Sequence, residues 1–330
     1  MRPFVSVCIP TYNRANFLKT AIASVLSQTL KDFEIIVVDN CSDDDTENVI
    51  KSIDDRRLLY FKNHHNIGMV ANFNRCIDLS RAEYISILHS DDYFEPNILE
   101  EESNLFDENP RVGMVYSAYQ IAHELSGQKK ILSPHSRNQL FEARNHFEWL
   151  ALRGNPVAFS SVMVRRECYR RVGAFNTSLP FSSDYEMWLR LSLCYAAAYL
   201  ATPLVTYRFH REMDSFSFFR SSHAIDQEWA AIESALKSAP WPDHERRQWL
   251  GKARRCLAAR TMRRAFFHAD KGMDMVRQHL VKAALINPLL RLHPLFWLIR
   301  AFSLIGDRAF SLVNTLRINW LRNARRPDPP

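Results

Sequence analysis

Strand and helix patterns alternate through the first 90 residues, and this alternation limits the possible folds more than any other feature of the sequence. Short runs rich in β-branched and aromatic residues are separated by segments whose apolar residues recur every three or four positions. The predicted strands are Phe4–Ile9, Phe33–Val38, Leu58–Phe61 and Tyr84–Leu88. Strands that alternate with helices form parallel sheets covered on both faces. The sequence therefore predicts an α/β fold with a mostly parallel, Rossmann-like sheet.

The helix predictions rest on apolar residues spaced for one helix face and on Ser or Asp residues able to cap a first turn. They cover Asn16–Gln28, Thr46–Ile53 and Val70–Leu79. Two more strand-like runs follow, Val112–Tyr119 and Phe159–Arg165, and after about Ala230 the pattern is helical throughout. We therefore expect an α/β domain over residues 1–230 and an all-α, basic extension over residues 231–330.

Charge separates the chain near the same place. Residues 241–330 carry 18 Lys and Arg against 6 Asp and Glu, a net +12, whereas the first 240 residues carry 25 against 30, a net −5. The basic part is rich in Leu, Phe and Trp, and Leu298–Leu316 has the spacing of an amphipathic helix. This mixture favours an anionic membrane surface over nucleic acid as its partner. Packing on its own domain or against a second copy is the alternative.

What the sequence lacks also narrows the possibilities. Charged residues interrupt the apolar C-terminal region, so no stretch there has the length of a membrane span. The eight glycines form neither a G-x-G-x-x-G nor a Walker-type loop. The six cysteines form no C-x-x-C pair, and we identify no signal peptide. We expect a cytoplasmic protein, peripheral on the inner face of the cell membrane if the basic region binds lipid.

Polar loops follow the four predicted strands at the point where each strand ends. They are Pro10–Arg14, Asp39–Asn40, Asn63–Asn66 and Ser90–Asp92. Ligands of open α/β sheets bind in the crevice outside the carboxyl ends of the strands. We expect these loops to line one such crevice.

The neighbouring carboxylates of Asp91 and Asp92 repel each other unless a cation neutralises them. Hard oxygen ligands suit Mg²⁺ or Mn²⁺. Mg²⁺ in proteins commonly keeps coordination positions for substrate phosphates, so the pair is compatible with a site for a metal and a diphosphate. A solvated turn or a helix cap is the simpler alternative for an isolated pair of this kind.

Other side chains of these loops suit a nucleotide. The Asp39 carboxylate can accept hydrogen bonds from a base or a sugar, Tyr12 can stack on a base, and Arg14 can pair with a phosphate. Asn66 and Gly68 allow the backbone to turn closely around a ligand. The alternatives are a helix cap for Asp39 and an ordinary loop for Asn66 and Gly68.

Two later segments carry further polar candidates. Asp184 precedes a helical pattern and is either an N-cap or a general base, a role that needs a raised pKa or accurate positioning. The strand-like segment Tyr207–His210 carries Arg208 and His210, which are able to contact a diphosphate or a metal. An isolated histidine is more often structural.

The order of these segments resembles that of the inverting, nucleotide-sugar-dependent glycosyltransferases of family 2, which have the GT-A fold. The resemblance covers residues 4–210. Its motifs are Val5–Arg14, Phe33–Asp45, Asn66–Gly68, Ser90–Asp92, Asp184–Leu191 and Tyr207–His210. The sequence departs from the family pattern at His89 and Ser90, where further acidic residues are common, at Ala82, a common glycine, and at Ser183, where Glu is frequent.

The resemblance implies a metal-dependent enzyme that transfers a sugar from a UDP- or dTDP-linked donor, with inversion, to a saccharide or lipid-linked acceptor in cell-surface polysaccharide synthesis. It implies Asp184 as catalytic base, and Asp92 and His210 as ligands of Mg²⁺ or Mn²⁺. The implied nucleotide-sugar site comprises Pro10, Thr11, Tyr12, Arg14, Asp39, Asn66, Gly68, Asp91 and Arg208. A domain of the same fold that binds a nucleotide-sugar or a partner without turnover is the competing hypothesis. The presence of both Asp92 and Asp184 argues against it.

Overall fold

The computed structural model describes residues 3–124, 126–210, 223–267 and 273–305. The chain divides into two compact units. The first comprises Met1–Leu150, Asn155–Met213 and Ser238–Pro240, and the second comprises residues 151–154, 214–237 and 241–330. The boundary expected at residue 230 falls inside a helix of the second unit, and the division into domains at that residue stays a prediction.

The described strands of the first unit form one mixed sheet. They are β1 Val5–Thr11, β2 Phe33–Asp39, β3 Leu58–Lys62, β4 Tyr84–Ile87, β5 Tyr93–Phe94, β6 Val112–His123, β7 Lys129–Leu132, β8 Gln139–Phe141, β9 Val162–Arg165 and β10 Ala196–Phe209. The order is β3-β2-β1-β4-β9-β6-β10-β5, with β7 beside β6 and β8 beside β10. Strand β1 pairs in parallel with β2 and β4, and β2 with β3. The carboxyl ends of the first four strands therefore lie at one edge.

Helices follow most of these strands, which confirms the predicted α/β class. They are α1 Ala15–Leu26, α2 Thr46–Lys51, α3 Met69–Leu79, α4 Ile98–Glu108, α5 Ala143–Arg153, α6 Arg166–Val172 and α7 Ser183–Cys194. The second unit contributes α8 His223–Ser238, α9 Asp243–Phe267, α10 Met273–Ile286 and α11 Pro294–Ile305. Of the helix expected over Leu298–Leu316, residues 306–316 lie outside the described residues.

The core of the first unit explains why β1 and β2 read as continuous apolar runs. Every residue of both strands is buried, as expected for parallel strands covered on both faces. Val7 and Ile35 of the sheet belong to the same buried cluster as Leu18 and Ile22 of α1. The packing of α1 on β1 and β2 holds in place the carboxyl ends of these strands, where the polar loops begin.

The structure corrects two details of the strand prediction. Residues Phe159–Ser161 form a 3-10 turn, and the strand begins only at Val162, where β9 pairs antiparallel with both β4 and β6. Strand β10 is 14 residues long, although only its last part had a strand-like pattern. Its first half is rich in alanine, a helix former, and the pairing with β6 overrides that local preference.

The second unit has a hydrophobic core of its own. Met262 of α9, Leu280 of α10 and Phe296 of α11 are buried in it. Glu228 of α8, which is buried, pairs with Arg260 and with Arg264 of α9. None of the helices over the described ranges is both long enough and apolar enough to cross a membrane.

Candidate functional site

The loops after β1 and β2 are held together by side-chain hydrogen bonds. The backbone N–H of Asn13 donates to Ser42 Oγ at 2.9 Å, and that of Ala15 donates to Asp44 Oδ2 at 2.9 Å. Asn13 and Cys41 have φ values of 51° and 71°, a conformation that costs free energy for residues other than glycine. Such strain is concentrated at ligand sites and persists where the surroundings fix it.

Asp39 ends β2 and is fully buried. Its Oδ1 accepts from the Ser42 backbone N–H at 2.8 Å, and its Oδ2 accepts from the Tyr60 hydroxyl at 2.7 Å. The first turn of α2 is instead bonded by Asp44, whose Oδ1 accepts from Thr46 N at 3.1 Å. A carboxylate oxygen accepts more than one hydrogen bond, so these contacts orient Asp39 and leave it acceptor capacity for a ligand.

A network of asparagines lies beside Asp39. The sequence placed Asn40 and Asn63 in the loops expected to line the crevice, but it named only Asn66 as a ligand-binding residue. Asn40 Nδ2 donates to Asn66 Oδ1 at 2.8 Å, and Asn63 Nδ2 contacts both Asn40 Oδ1 and Asn72 Oδ1 at 3.0 and 2.9 Å. Asn66 Oδ1 also accepts from the backbone N–H of Gly68, whose φ is +85°. The network therefore fixes the loop from β3 to α3.

The remaining residues predicted to bind the nucleotide lie at the end of β1 or directly after it. Pro10 and Thr11 are buried, and Thr11 Oγ1 has no hydrogen-bond partner within the part of the chain that the structure describes. Tyr12 is exposed at 46%, which leaves its ring free to stack on a base. Arg14 is half-buried and donates to Asn13 O at 3.3 Å.

The Asp91-Asp92 pair lies just after β4 and forms a cluster with His89. The ligand-capable atoms of these three residues lie within 4.8 Å of one another. Asp92 is buried, and its Oδ2 accepts from Ser160 Oγ at 2.6 Å while its Oδ1 accepts from the Arg208 backbone N–H at 3.2 Å. Burial, followed by the neighbouring charge of Asp91, raises the pKa of Asp92 well above its usual range.

Two carboxylates and an imidazole at this spacing are suitable donors for a divalent cation. The raised pKa of Asp92 agrees with this, because a buried pair of carboxylates is stable with both groups ionised only beside positive charge, which a bound cation would supply. The sequence prediction had left His89 unassigned. The residues that are present therefore fit a metal ion.

His210 lies outside this three-residue cluster and contacts one of its members. Its Nε2 is 3.1 Å from Asp91 Oδ2, and its ring packs against that of Phe17 at an interplanar angle of 31°, with centroids 4.4 Å apart. Nδ1 of His210 is buried and has no partner within the described ranges. That His210 ligates a metal directly stays a prediction.

Arg208 is held mainly by backbone carbonyls. Its Nε donates to Asp91 O, its Nη2 donates to Phe17 O at 3.2 Å, and its guanidinium lies 4.8 Å from the centre of the Phe17 ring. The structure thus brings Asp91, Asp92, Arg208 and His210 together.

Asp184 is the second residue of α7, and the N-cap position belongs to Ser182. Its Oδ2 accepts from Asn155 Nδ2 at 2.9 Å, a contact that the sequence did not predict. Burial raises the pKa of Asp184 to about 6, against the opposing effect of this hydrogen bond. At neutral pH Asp184 is therefore ionised and a stronger base than an ordinary aspartate.

Comparison with known proteins identifies relatives of the chain. Residues 6–173 match the family described as Glycosyl transferase family 2. An uncharacterized glycosyltransferase of Rickettsia felis is 28% identical over 233 residues, which cover 70% of this chain and 38% of that protein. Another, from Methanocaldococcus jannaschii, is 31% identical over 57% of this chain and 64% of its own length. The chain thus spans well under half of the rickettsial relative.

Solved structures with a similar fold include a mannosyltransferase. The first 349 residues of Staphylococcus aureus TarS, in complex with UDP-GlcNAc, superpose with a TM-score of 0.65 at 16% identity, over 96% of this chain and 92% of that one. The mannosyltransferase PcManGT from Pyrobaculum calidifontis, in complex with GDP-Man and Mn²⁺, gives 0.56 at 16% identity, over 97% and 88%. These likenesses confirm the GT-A fold. With the family match over half of its length, the chain belongs to glycosyl transferase family 2.

Proposed function

We propose that this protein transfers a sugar from a UDP- or dTDP-linked donor to a hydroxyl of a saccharide or lipid-linked acceptor, with inversion at the anomeric carbon. The observation that carries the proposal is the cluster of His89, Asp91 and Asp92 at the carboxyl end of β4. In an open α/β sheet this is the edge at which ligands bind. A catalytic role also requires a base, and Asp184 has a pKa suited to it.

The loops after β1, β2 and β3 form the proposed nucleotide site. Asp39 and the buried hydroxyl of Thr11 hydrogen-bond to the base or the ribose, Tyr12 stacks on the base, and Arg14 pairs with a phosphate. Gly68 leaves room for the ligand beside the backbone, because nothing lies within 4 Å of where its Cβ would be. The TarS neighbour is a complex with UDP-GlcNAc, which is consistent with such a donor.

The proposed metal site comprises His89, Asp91 and Asp92, with Mg²⁺ or Mn²⁺ as the ion. A divalent cation there offsets the negative charge that develops on the leaving diphosphate. His210 orients Asp91 through the 3.1 Å contact, and Arg208 adds positive charge beside both carboxylates. The PcManGT neighbour was solved with Mn²⁺, which agrees with this assignment.

Asp184 is the proposed base of a single displacement. Its carboxylate takes the proton of the acceptor hydroxyl while the acceptor oxygen bonds to the anomeric carbon. The bond from that carbon to the diphosphate oxygen breaks, and the nucleoside diphosphate leaves with the bonding electrons. Because attack comes from the face opposite the leaving group, the anomeric configuration inverts.

A screen of UDP-, dTDP- and GDP-linked sugars for turnover with Mg²⁺ or Mn²⁺ tests this function. We expect at least one donor to be consumed, with activity lost in EDTA and in the Asp92→Asn and Asp184→Asn variants. Full activity in both variants contradicts the mechanism. A donor that binds but is not turned over identifies a binding module instead of an enzyme.

We further propose that the second unit attaches the enzyme to an anionic membrane, where a lipid-linked acceptor is available. Six of the ten exposed large apolar side chains among the described residues belong to it, and we call them the apolar surface. They are Val281, Leu285, Leu289, Leu292, Trp297 and Leu298. Arg291 and Arg300 are exposed within the same stretch, and Arg300 lies 5.2 Å from the Trp297 ring centre. Apolar and cationic side chains together suit the interface of an anionic bilayer.

Flotation with vesicles of anionic phospholipid tests this attachment. The full chain should float with the vesicles, and the combined Leu289→Ser, Leu292→Ser and Trp297→Ser variant should not. Ile131→Ser with Leu140→Ser is the matched control, because these exposed apolar residues belong to the first unit. A wild-type protein that stays at the bottom of the gradient contradicts membrane attachment.

A further inference from the structure

The segment Asn155–Ser160 hydrogen-bonds to two of the carboxylates used in the proposed mechanism. At its start, Asn155 Nδ2 donates to Asp184 Oδ2 at 2.9 Å. At its end, Ser160 Oγ donates to Asp92 Oδ2 at 2.6 Å. Only four residues thus lie between the residue that contacts the proposed base and the residue that contacts the metal-binding pair.

The orientation of Asn155 is fixed by its own backbone turn. Asn155 Oδ1 accepts from the Val157 backbone N–H at 3.1 Å, so the opposite side of the amide, Nδ2, faces Asp184. Pro156 lies between Asn155 and Val157, and its ring restricts the backbone of this turn. The donor to Asp184 is therefore held in place before any substrate binds.

Ser160 connects to both ends of the turn that carries the metal-binding cluster. It is buried, its hydroxyl donates to Asp92, and its oxygen accepts from the His89 backbone N–H at 3.2 Å. Asp92 N in turn donates to His89 O at 3.0 Å, which closes the turn. Loss of the Ser160 hydroxyl would remove a hydrogen bond from each end.

Phe159 packs the segment against the elements that carry both groups. Its ring centroid lies 4.6 Å from that of His89 and 4.7 Å from that of Phe73 of α3. It also lies 6.0 Å from Trp188, which is on α7 with Asp184. This ring resists displacement of the segment relative to the cluster and to α7.

We propose that Asn155 and Ser160 are positioning residues, and that their segment fixes the base and the metal-binding carboxylate in one arrangement. This inference rests on the proposed function. Asn155 orients Asp184 toward the acceptor, and Ser160 orients Asp92 toward the metal. Sequence-distant contacts that orient ligands and bases in this way typically change affinity or rate by about 10- to 100-fold when removed.

The two residues should affect different measurements. The hydrogen bond from Asn155 favours ionised Asp184, so Asn155→Ala should move the acidic limb of the pH profile of kcat/KM upward and lower kcat about tenfold. The segment contains no ionisable side chain, and the charged residues of α7 other than Asp184, which are Glu186 and Arg190, pair with each other at 2.8 Å. Ser160→Ala should instead weaken Mn²⁺ binding about tenfold, measured by electron paramagnetic resonance without donor.

Matched controls come from the same region. Ser161→Ala removes a buried hydroxyl that donates to Ala158 O in the neighbouring turn, away from the cluster, and it should leave Mn²⁺ affinity unchanged. Asn176→Ala removes an exposed hydrogen bond in which the Ser178 backbone N–H donates to Asn176 Oδ1, and it should leave the pH profile of kcat/KM unchanged. Two results obtained with a wild type that turns over a donor would each show that the inference is wrong. One is Mn²⁺ affinity in Ser160→Ala equal to that of the wild type. The other is an acidic limb in the pH profile of Asn155→Ala at the same pH as in the wild type. A wild type that turns over no donor contradicts the proposed function instead.

Discussion

The strand-end loops of the first unit and the last helices of the second unit use polar and apolar side chains in opposite ways. Around Asp39 and Asp92, charged and amide groups are buried and each contacts several partners. On α10 and α11, Leu285 and Trp297 are exposed while cationic residues lie nearby. Buried and oriented polar groups suit a small charged ligand. Exposed apolar groups with positive charge suit an extended surface such as a membrane.

Removing the proposed base should give the largest effect and should affect only the first of these regions. Asp184→Asn keeps the shape of the side chain but cannot accept a proton, so kcat should fall by about 10³-fold. Donor affinity, measured by titration calorimetry, should stay within about twofold. Asp243→Asn, whose side chain is exposed on α9, is the control and should leave kcat unchanged. A similar kcat in both variants would contradict the role of Asp184.

The ion pairs of the second unit allow a comparison of buried and exposed charge. Glu228→Gln leaves Arg260 and Arg264 without their carboxylate and should reduce the protection free energy of α9 amides by about 3 kcal/mol. Hydrogen exchange measures this locally, without assuming that the two units unfold together. Asp274→Asn, whose pair with Arg277 is exposed, should change the protection free energy of these amides by less than about 0.5 kcal/mol. Equal changes in the protection free energy for the two variants would show that Glu228 does not form a buried ion pair with Arg260 and Arg264 in solution.

The pH dependence of activity should identify the base. Because burial raises the pKa of Asp184 to about 6, the active carboxylate form is lost as the pH falls through that value. We expect kcat/KM to be level from about pH 7 to 8, to be halved near pH 6, and to approach a tenfold fall per pH unit below about 5. An ordinary aspartate would keep the rate level down to about pH 5. A profile of that second kind contradicts the environment described for Asp184.

Salt should have the smallest effect, and it sharpens the contrast between the regions. Arg291 and Arg300 are exposed, so their attraction to anionic lipid is screened as ionic strength rises. Raising NaCl from about 0.1 to about 0.5 M should weaken vesicle binding severalfold, while the apolar surface retains part of it. Binding that is abolished entirely by salt would contradict a role for Trp297 and its apolar neighbours.

The sequence predicted the strand-end positions well because they depend on local patterns. The apolar run before Asp39 and the run before Asp91 each specify a buried strand, and a parallel sheet places both ends at one edge. The contacts that orient these carboxylates could not be predicted in the same way. Tyr60 reaches Asp39 over 21 positions and Ser160 reaches Asp92 over 68, and no local periodicity encodes such pairs.

Other departures have the same origin. The alanine-rich start of β10 favours a helix locally and becomes a strand only through pairing with β6. The role of His89 in the cluster depends on the turn that ends β4, which the side-chain pattern does not specify. The exposed positions on α10 and the turn after it, such as Leu289, became apparent only once the buried face of the second unit was known.

Calorimetric titration of UDP, dTDP and GDP tests most directly whether the His89, Asp91 and Asp92 cluster holds a cation beneath a nucleoside diphosphate. The account predicts that at least one of the three binds the full-length protein in Mn²⁺ and binds at least tenfold more weakly in EDTA. In Asp92→Asn this difference between Mn²⁺ and EDTA should disappear. Equal affinity with and without Mn²⁺ in the wild type, or an undiminished Mn²⁺ effect in Asp92→Asn, would contradict the account.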